Sequence, residues 1–222
     1  MPMSEHSQSS LFLGGEGDAW FLRNSESLNA TSDSPDISFI FSTLNDFHNS
    51  ISTILEIGCG GGAKLSALSK HFNSLGYGID PSKKAIRSAS EKYSQTESKL
   101  HFQTGIATNL PYEDNQFDLV FFGFCLYLVP PNEILSAAME ADRVLRKGGF
   151  LAILDFDYGQ QKVNSYKHAE GVYSFKNTYS KLFTSLGYFH QVSKWSFSHT
   201  DNVFALNKDE RISIEVLYKE LI

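Results

Sequence analysis

The sequence predicts an α/β fold in which helices cover both faces of a mostly parallel sheet. Between residues 51 and 156, short apolar segments rich in β-branched and aromatic residues alternate with amphipathic segments of helical period. Glycine and proline separate these segments, as they do at turns. This alternation is typical of βαβ units, in which each helix returns the chain to the edge where the previous strand began.

Five strands with intervening helices are predicted in this part of the chain. The strands are expected at residues 54–57, 75–79, 100–103, 117–122 and 150–156, and the helices at 62–72, 82–93 and 132–145. After residue 157 the rhythm changes. Residues 158–175 show no clear period, 176–186 have a helical pattern, and 188–199 and 211–218 alternate like an antiparallel pair of strands at one sheet edge.

The chain divides into an N-terminal region, residues 1–50, and a main domain, residues 51–222. The N-terminal region is predicted to form a tail and two helices that cover the main domain as a lid. Its Ser-rich residues 1–10 are expected to be disordered or frayed. Asp18 is a candidate cap for the first helix, and Ser34 is one for a second helix that ends near residue 48.

The composition is that of an ordinary globular protein. Of the 222 residues, 41% are hydrophobic and 20% charged, and the net charge of −6 disfavours a broad nucleic-acid or anionic-membrane surface. Two cysteines, Cys59 and Cys125, are too few for a disulfide framework and lack metal-ligand spacing. Neither a secretory signal nor an apolar run of membrane-spanning length is evident, so a cytoplasmic protein is expected.

Glycines at alternate positions follow the first strand of the main domain. Gly58, Gly60 and Gly62 come directly after an apolar run that contains Glu56. Without Cβ atoms, these residues allow positive φ angles and a close approach of the backbone to a ligand. A tight turn alone would also explain them, and their spacing fits a dinucleotide-binding loop as well.

Two carboxylates narrow the choice of ligand. Glu56 lies two residues before the first glycine, where a dinucleotide enzyme more often has an apolar residue, and it can accept a hydrogen bond from an ammonium group. Asp80 ends the second strand, where it can accept from both hydroxyls of a ribose. Pro81 follows and suits the first turn of a helix, so a capping role for Asp80 is compatible with ribose binding.

Five motifs occur in a fixed order between residues 51 and 156. They are Glu56-Ile57-Gly58-Cys59-Gly60-Gly61-Gly62, Gly78-Ile79-Asp80-Pro81-Ser82, Leu110-Pro111-Tyr112, Phe117-Asp118-Leu119-Val120 and Val144-Leu145-Arg146-Lys147-Gly148-Gly149-Phe150. Together they resemble the motifs of class I S-adenosylmethionine-dependent methyltransferases. The resemblance implies a Rossmann-like three-layer sandwich whose seven-stranded sheet has the order 3-2-1-4-5-7-6, with strand 7 antiparallel. It also implies S-adenosylmethionine as cofactor and S-adenosylhomocysteine as product.

The same resemblance supplies candidate cofactor contacts. Family members commonly have an acidic residue after the glycine that follows strand 3, but here Gly105 precedes Ile106 and Ala107, whose backbone groups can contact adenine instead. Trp20 is expected in a lid over the cofactor. Arg23 is a candidate partner for the methionine carboxylate, with an ordinary surface position as the alternative. The predicted cofactor-binding residues are Glu56, Gly58, Gly60, Gly62, Asp80, Pro81, Ile106, Ala107, Gly123, Arg23 and Trp20.

The acceptor is expected beyond the carboxyl ends of strands 4 and 5, and three residues are candidates for catalysis. Tyr127 and Asp155 fall in that region, although core packing equally explains Tyr127. His168, in the aromatic and polar segment 166–176, is a candidate base for an oxygen acceptor, with a surface position as the alternative. Asp155 and Asp157 alone are too few ligands for a divalent cation, so no metal is predicted.

The predicted function is transfer of a methyl group from S-adenosylmethionine to a small-molecule acceptor. The N-terminal Trp20–Asn24 stretch and the 166–176 segment loosely resemble bacterial methyltransferases associated with surface-sugar or nonulosonic-acid biosynthesis, which implies a sugar or nucleotide-sugar hydroxyl as acceptor. An NAD(P)-dependent oxidoreductase and a non-catalytic S-adenosylmethionine-binding protein are the alternatives. Neither a nucleic-acid partner nor a membrane span is expected, and the protein is predicted to be a monomer or homodimer.

Overall fold

A central sheet with helices on both faces forms the fold in the computed structural model, which describes residues 7–29, 34–93 and 99–221, without the side chains of 26–29. The strands within these ranges are β1 (Thr53–Ile57), β2 (Leu75–Asp80), β3 (Leu100–Thr104), β4 (Phe117–Gly123), β5 (Leu145–Ser165), β6 (Tyr173–Thr178), β7 (Phe189–Ser198) and β8 (Arg211–Lys219). The helices are α1 (Gln8–Leu11), α2 (Gly17–Asn29), α3 (Pro35–Thr43), α4 (Ala63–Phe72), α5 (Lys83–Tyr93), α6 (Ile134–Val144) and α7 (Ser180–Thr184). A π-helical turn, Phe12–Glu16, joins α1 to α2, and 3-10 turns occupy Asn45–Ser50 and Leu126–Leu128.

The strand order is β3-β2-β1-β4-β5-β8-β7, and β6 pairs with β5 outside this path. The first five strands pair in parallel, whereas β8 is antiparallel to both β5 and β7. The predicted order is confirmed, since the strands expected as sixth and seventh are β7 and β8. The sheet has eight strands in the described residues, where seven were expected.

The added strand β6 forms a hairpin with an extension of β5. Prediction ended the fifth strand at residue 156, but β5 continues to Ser165, and Ser165 pairs with Tyr173 at the base of the hairpin turn. The helix predicted at 176–186 begins only at Ser180, because β6 occupies the residues before it. The extension is polar and partly exposed, so it carries little of the apolar alternation by which strands are recognised.

The central strands are buried on both faces, as parallel strands between two helical layers must be. Along β4, Leu119 and Phe121 pack on the side of α3 and α4, whereas Val120 and Phe122 pack on the side of α6 and α7. Successive strand residues point to opposite faces, so this alternation fixes the register of the sheet between its two helical layers. No helix in the described ranges combines the length and apolar character needed to cross a membrane.

Two predictions about the N-terminal region differ from the structure: residues 7–10 are ordered, and the helix that begins after its predicted N-cap, Ser34, is shorter than expected. Residues 1–6 lie outside the described residues, but Ser7 caps α1, and the buried amide of Gln8 donates to the carbonyl oxygens of Leu128 (2.6 Å) and Tyr173 (2.8 Å). These bonds order the tail against the main domain. Ser34 precedes α3 in an extended conformation, but its hydroxyl makes no capping bond, and α3 ends at Thr43.

Candidate active site

A cavity of about 450 Å³ lies at the edge of the sheet where the parallel strands end. Small-molecule sites typically have volumes of about 300–1,000 Å³, so this cavity can enclose one or two small ligands. Its β1 half is formed by the residues after β1, β2 and β3, and its β5 half by the ends of β4, β5 and β7 and the start of β8. The antiparallel direction of β8 brings its first residues to this edge, where Ile212 pairs with Phe156 and Phe197.

Most of the predicted site residues line this cavity. Those that do are Trp20, Gly58, Gly60, Asp80, Pro81, Ile106, Ala107, Gly123 and Tyr127. The predicted residues that do not contribute to its wall are Arg23, Glu56, Gly62, Asp155 and His168. The structure therefore brings the glycine loop, the end of β2 and the segment after β3 together, as expected from the parallel topology.

The glycine loop is fastened to the end of β2. The amides of Gly58 and Cys59 both donate to the carbonyl oxygen of Ile79, at 2.8 and 3.2 Å, and the amide of Gly60 donates to Asp80 Oδ2 at 2.9 Å. Gly60 lines the cavity with a φ of +50°, a conformation that favours glycine. Gly62 instead packs against the ring of Phe102, so its role is in packing rather than in the cavity wall.

Asp80 presents a carboxylate in the wall of the β1 half. Burial raises its pKa to about 6, although the amides of Ser82 and Gly60 act in the opposite direction by donating to its two oxygens. Each carboxylate oxygen has two lone pairs, so each can accept one further hydrogen bond. Asp80 can therefore accept from two neighbouring hydroxyl groups of a ligand.

Glu56 lies behind the cavity wall without a hydrogen-bond partner for its Oε2 atom within the described part of the chain. Its side chain is 2% exposed, and a Cβ atom built on Gly123 would lie 2.6 Å from Glu56 Oε1. Burial raises the pKa of this carboxyl to about 8, and the charge of Lys64 opposes the shift. Buried polar atoms are rarely left unpaired, so this oxygen can accept a hydrogen bond from a donor that the described residues do not supply.

Trp20 and Tyr127 connect the N-terminal region to the turn after β4. Trp20 Nε1 donates to Tyr127 Oη at 3.3 Å, and both side chains line the cavity. Asp155, which is 2% exposed, accepts from the amides of Tyr127 (3.2 Å) and Phe156 (2.8 Å) and so holds this turn from below. Burial raises the pKa of Asp155 to about 7. Asp155 therefore positions Tyr127 and does not itself reach the cavity.

Arg23 and His168 are placed away from the cavity. Arg23 Nη2 contacts Glu16 Oε1 (2.5 Å) and Tyr166 Oη (2.8 Å), so its charge is already neutralised at the surface. His168 is exposed in the turn between β5 and β6, and its ring packs at 5.4 Å from that of Tyr166. Arg23 therefore does not face the cavity as a partner for the methionine carboxylate, and His168 does not face it as a general base.

Asp157 makes protein contacts that leave little capacity for a cation. Its carboxylate accepts from Thr178 Oγ1 (2.9 Å), Lys194 Nζ (3.0 Å) and Ser196 Oγ (2.8 Å). Among residues 7–29, 34–93 and 99–221, no three His, Cys, Asp or Glu side chains are grouped so that they could hold a metal ion.

Sequence reasoning missed most of the residues that form the β5 half. This half is mostly apolar, and its lining residues are Phe124, Leu154, Phe197, Ile212, His199 and Asn202. Phe124 has a left-handed φ of +63°, and its ring lies 5.3 Å from that of His199 in an edge-to-face arrangement. The signal available was the position of His199 at the end of a predicted strand, combined with the strand order that brings this end to the cavity.

Comparison with known proteins identifies the domain. Residues 54–149 match the model of a family described as "Methyltransferase domain". This part of the chain is therefore similar to a methyltransferase domain, and the strand order is that of the Rossmann-like fold of class I S-adenosylmethionine-dependent methyltransferases. The match covers the glycine loop, Asp80 and the turn after β4, which form part of the cavity wall described above.

Curated relatives of this methyltransferase domain match it over about half of the chain. Demethylmenaquinone methyltransferase of Staphylococcus haemolyticus is 36% identical over 115 residues, which cover 50% of this chain and 47% of the relative. The enzyme of the same description from Staphylococcus aureus is 40% identical over 103 residues, or 46% and 42% of the two chains. The matched part thus spans less than half the length of these relatives.

Solved structures share the fold over nearly the whole chain. A Burkholderia thailandensis 1,6-didemethyltoxoflavin-N1-methyltransferase, with bound 1,6-didemethyltoxoflavin and S-adenosylhomocysteine, superposes with a TM-score of 0.76 at 13% identity, covering 99% of this chain and 92% of the other. An S-adenosylmethionine-dependent methyltransferase from Clostridium acetobutylicum gives a TM-score of 0.65 at 13% identity, with 91% and 98% covered. At these identities the likeness concerns the fold.

Proposed function

We propose that this protein transfers the methyl group of S-adenosylmethionine to a hydroxyl group carried on a ring of a small-molecule acceptor. The observation that carries the proposal is a single cavity with two chemically different halves. The β1 half offers Asp80 and the glycine loop, and the β5 half offers an apolar floor beside His199. The β1 half suits a nucleoside with an amino-acid end, and the β5 half suits the ring of the acceptor.

The β1 half fits the cofactor by its donor and acceptor groups. Asp80 accepts from the two ribose hydroxyls, and Ile106 and Ala107 contact adenine beyond β3. The unpartnered Oε2 of Glu56 fits the ammonium group at the amino-acid end. Pro81, next to Asp80 in the wall, keeps the ribose-binding turn rigid.

The protein contributes alignment and exclusion of water. When bound, S-adenosylmethionine supplies an electrophilic methyl group, whose bond to sulfur breaks as the acceptor oxygen bonds to the carbon. Such a displacement gains most from a fixed in-line geometry in a dry site. The described part of the N-terminal region acts as a lid over the main domain, and the bond from Trp20 to Tyr127 fastens this lid to the turn after β4.

The β5 half determines the acceptor. The ring of Phe124 provides a flat surface on which a planar ring, or the apolar face of a sugar, can stack. His199 takes the proton of the acceptor hydroxyl at an imidazole nitrogen, the role expected earlier of His168. The curated relatives are named for demethylmenaquinone, and the sequence resemblance favours a sugar hydroxyl.

A methyl-transfer panel tests this function. The protein is incubated with radiolabelled S-adenosylmethionine and either nucleotide sugars or planar naphthols, and label transfer to the acceptor is measured. Transfer in one arm supports the proposal and identifies the acceptor class. Binding of S-adenosylhomocysteine without transfer in either arm contradicts it and supports a non-catalytic binding protein. Binding of a reduced nicotinamide dinucleotide, but not of S-adenosylhomocysteine, supports an oxidoreductase.

A further inference from the structure

Two opposite charges face each other in the cavity wall, in a position to which the sequence assigned no function. Lys64 Nζ, in the first turn of α4, lies 2.5 Å from Asp36 Oδ2, in the first turn of the lid helix α3. The side chains are only 16% and 8% exposed, and both residues line the cavity. This ion pair therefore joins the lid to the glycine-loop helix at the site itself.

Lys64 is the only Lys or Arg among the lining residues that the structure describes. It follows the glycine loop by two positions, so its ammonium group lies beside the part of the cavity that the loop forms. The N-terminus of α4 adds partial positive charge at the same place. A carboxylate in this corner would meet both, whereas Arg23 is held by Glu16 outside the cavity wall.

Glu56 supplies an independent sign that a charged ligand belongs in this corner. Its Oε2 atom has no hydrogen-bond partner among the described residues, although the residue is only 2% exposed. The charge of Lys64 acts on this carboxyl, so the two groups are electrostatic neighbours. The corner thus contains one cation and two carboxyl groups, and a ligand that brings one anion and one cation would satisfy all three.

We propose that Lys64 binds the carboxylate of the amino-acid end of the methyl donor, while Asp36 and Glu56 accept hydrogen bonds from its ammonium group. This inference rests on the proposed function, because the ligand is S-adenosylmethionine or its product. Entry of the amino-acid end divides the Asp36–Lys64 ion pair and replaces it with two pairs to the ligand. The position of α3 is thereby coupled to the presence of a complete methyl donor.

Two ligands that differ only at this end separate the possibilities. S-adenosylhomocysteine has the carboxylate and the ammonium group, whereas 5′-methylthioadenosine has the same nucleoside and thioether without them. Isothermal titration of both is compared for the wild type, Lys64→Met and the double variant Asp36→Asn/Lys64→Met. The double variant also removes the charge of Asp36, which would otherwise lose its lysine partner, so it remains informative if Lys64→Met folds poorly. Lys70→Met, on the same helix but outside the cavity wall, is the matched control.

The expected result is selective loss of one ligand. Charge-assisted bonds contribute roughly 1.5–3 kcal/mol, so Lys64→Met and the double variant should weaken S-adenosylhomocysteine binding about 10- to 100-fold. Binding of 5′-methylthioadenosine should change less than about twofold, and Lys70→Met should change neither. Equal effects on both ligands, or none on either, overturn the inference while the proposed function stands. Failure of the wild type to bind either ligand overturns the proposed function as well.

Discussion

Gly58 and Cys125 are in such close contact that a side chain on the glycine cannot be accommodated. A Cβ atom at Gly58 would lie 2.6 Å from Cys125 Cβ, and the φ of Gly58 is +77°. The contact joins the glycine loop to the turn after β4, and hence the two halves of the cavity. The glycine is therefore required by packing and backbone conformation together, independently of any ligand.

Substitution Gly58→Ala should destabilise the protein strongly. Overpacking and a positive φ each cost roughly 1–3 kcal/mol, so the free energy of unfolding should fall by about 2–6 kcal/mol. Gly61→Ala is the matched control, because its nearest neighbour outside the loop would be a Phe21 ring atom at 3.7 Å. Urea unfolding measures both. Similar losses in the two variants would contradict the packing explanation.

Asp18 anchors the lid to helix α5. The sequence had instead predicted that Asp18 caps the first helix of the N-terminal region. Its Oδ1 accepts from Ser82 Oγ (2.7 Å) and from the amide of Lys84 (2.9 Å), and Ser82 Oγ in turn accepts from the amide of Ala85 (3.0 Å). Burial acts to raise the pKa of Asp18, but these hydrogen bonds outweigh it and hold the pKa below its usual value. The lid is thus fixed beside the Asp80–Pro81 turn.

Removal of this anchor by Asp18→Ala should weaken both stability and cofactor binding. Loss of a capping carboxylate costs about 1 kcal/mol, which a thermal melt can resolve. Because Ser82 follows the ribose-binding turn, the affinity for S-adenosylhomocysteine should also fall severalfold. The exposed Asp46→Ala is the control and should leave both unchanged. An Asp18→Ala variant with wild-type melting temperature and affinity would exclude the anchoring role.

The pKa of Glu56 predicts that cofactor binding releases a proton. With a pKa of about 8, caused by burial, the carboxyl is mostly protonated at pH 7 in the ligand-free protein. A ligand ammonium group favours the ionised form, so binding lowers the pKa and the affinity rises between about pH 6 and 8. Without ligand, the contribution of this carboxyl to stability is fully present below its ordinary pKa of 4.5 and is lost as the pH rises through about 8.

Calorimetry in phosphate and Tris buffers, which differ in ionisation enthalpy, measures this proton. Up to about one proton should be released per S-adenosylhomocysteine bound at pH 7, and the release should disappear in Glu56→Gln. Titration with 5′-methylthioadenosine serves as the ligand control, because it lacks the ammonium group. Equal proton release in wild type and Glu56→Gln would show that another group titrates.

His199 should be required for methyl transfer to an oxygen acceptor, and His168 should not. A general base typically contributes about 10²- to 10⁴-fold, so His199→Asn should lower kcat by that order while leaving the Kd of S-adenosylhomocysteine unchanged. His168→Asn, in the exposed β5–β6 turn, should retain wild-type kcat. For both variants, kcat is measured with the acceptor identified in the methyl-transfer panel, and the Kd of S-adenosylhomocysteine is measured by titration. A larger loss for His168→Asn would reverse the assignment.

The parts of the fold and site that follow from local sequence were predictable. The glycines after β1 and Asp80 after β2 lie at strand ends, and parallel strands bring such ends to one edge of a sheet. His199, Lys64 and Asp36 depend on long-range packing: β7, α4 and α3 meet at the cavity only in the folded chain. The β5–β6 hairpin escaped prediction because its residues are polar and half-exposed, which removes the hydrophobic period that marks a strand.

We infer that the glycine loop and Asp80 form the binding site of the methyl donor. Isothermal titration with S-adenosylhomocysteine of the wild type, Gly60→Val and Asp80→Ala tests it most directly, with circular dichroism melts to verify folding. The wild type should bind, and both variants should remain cooperatively folded while losing measurable binding. Wild-type affinity in both folded variants would contradict the claim.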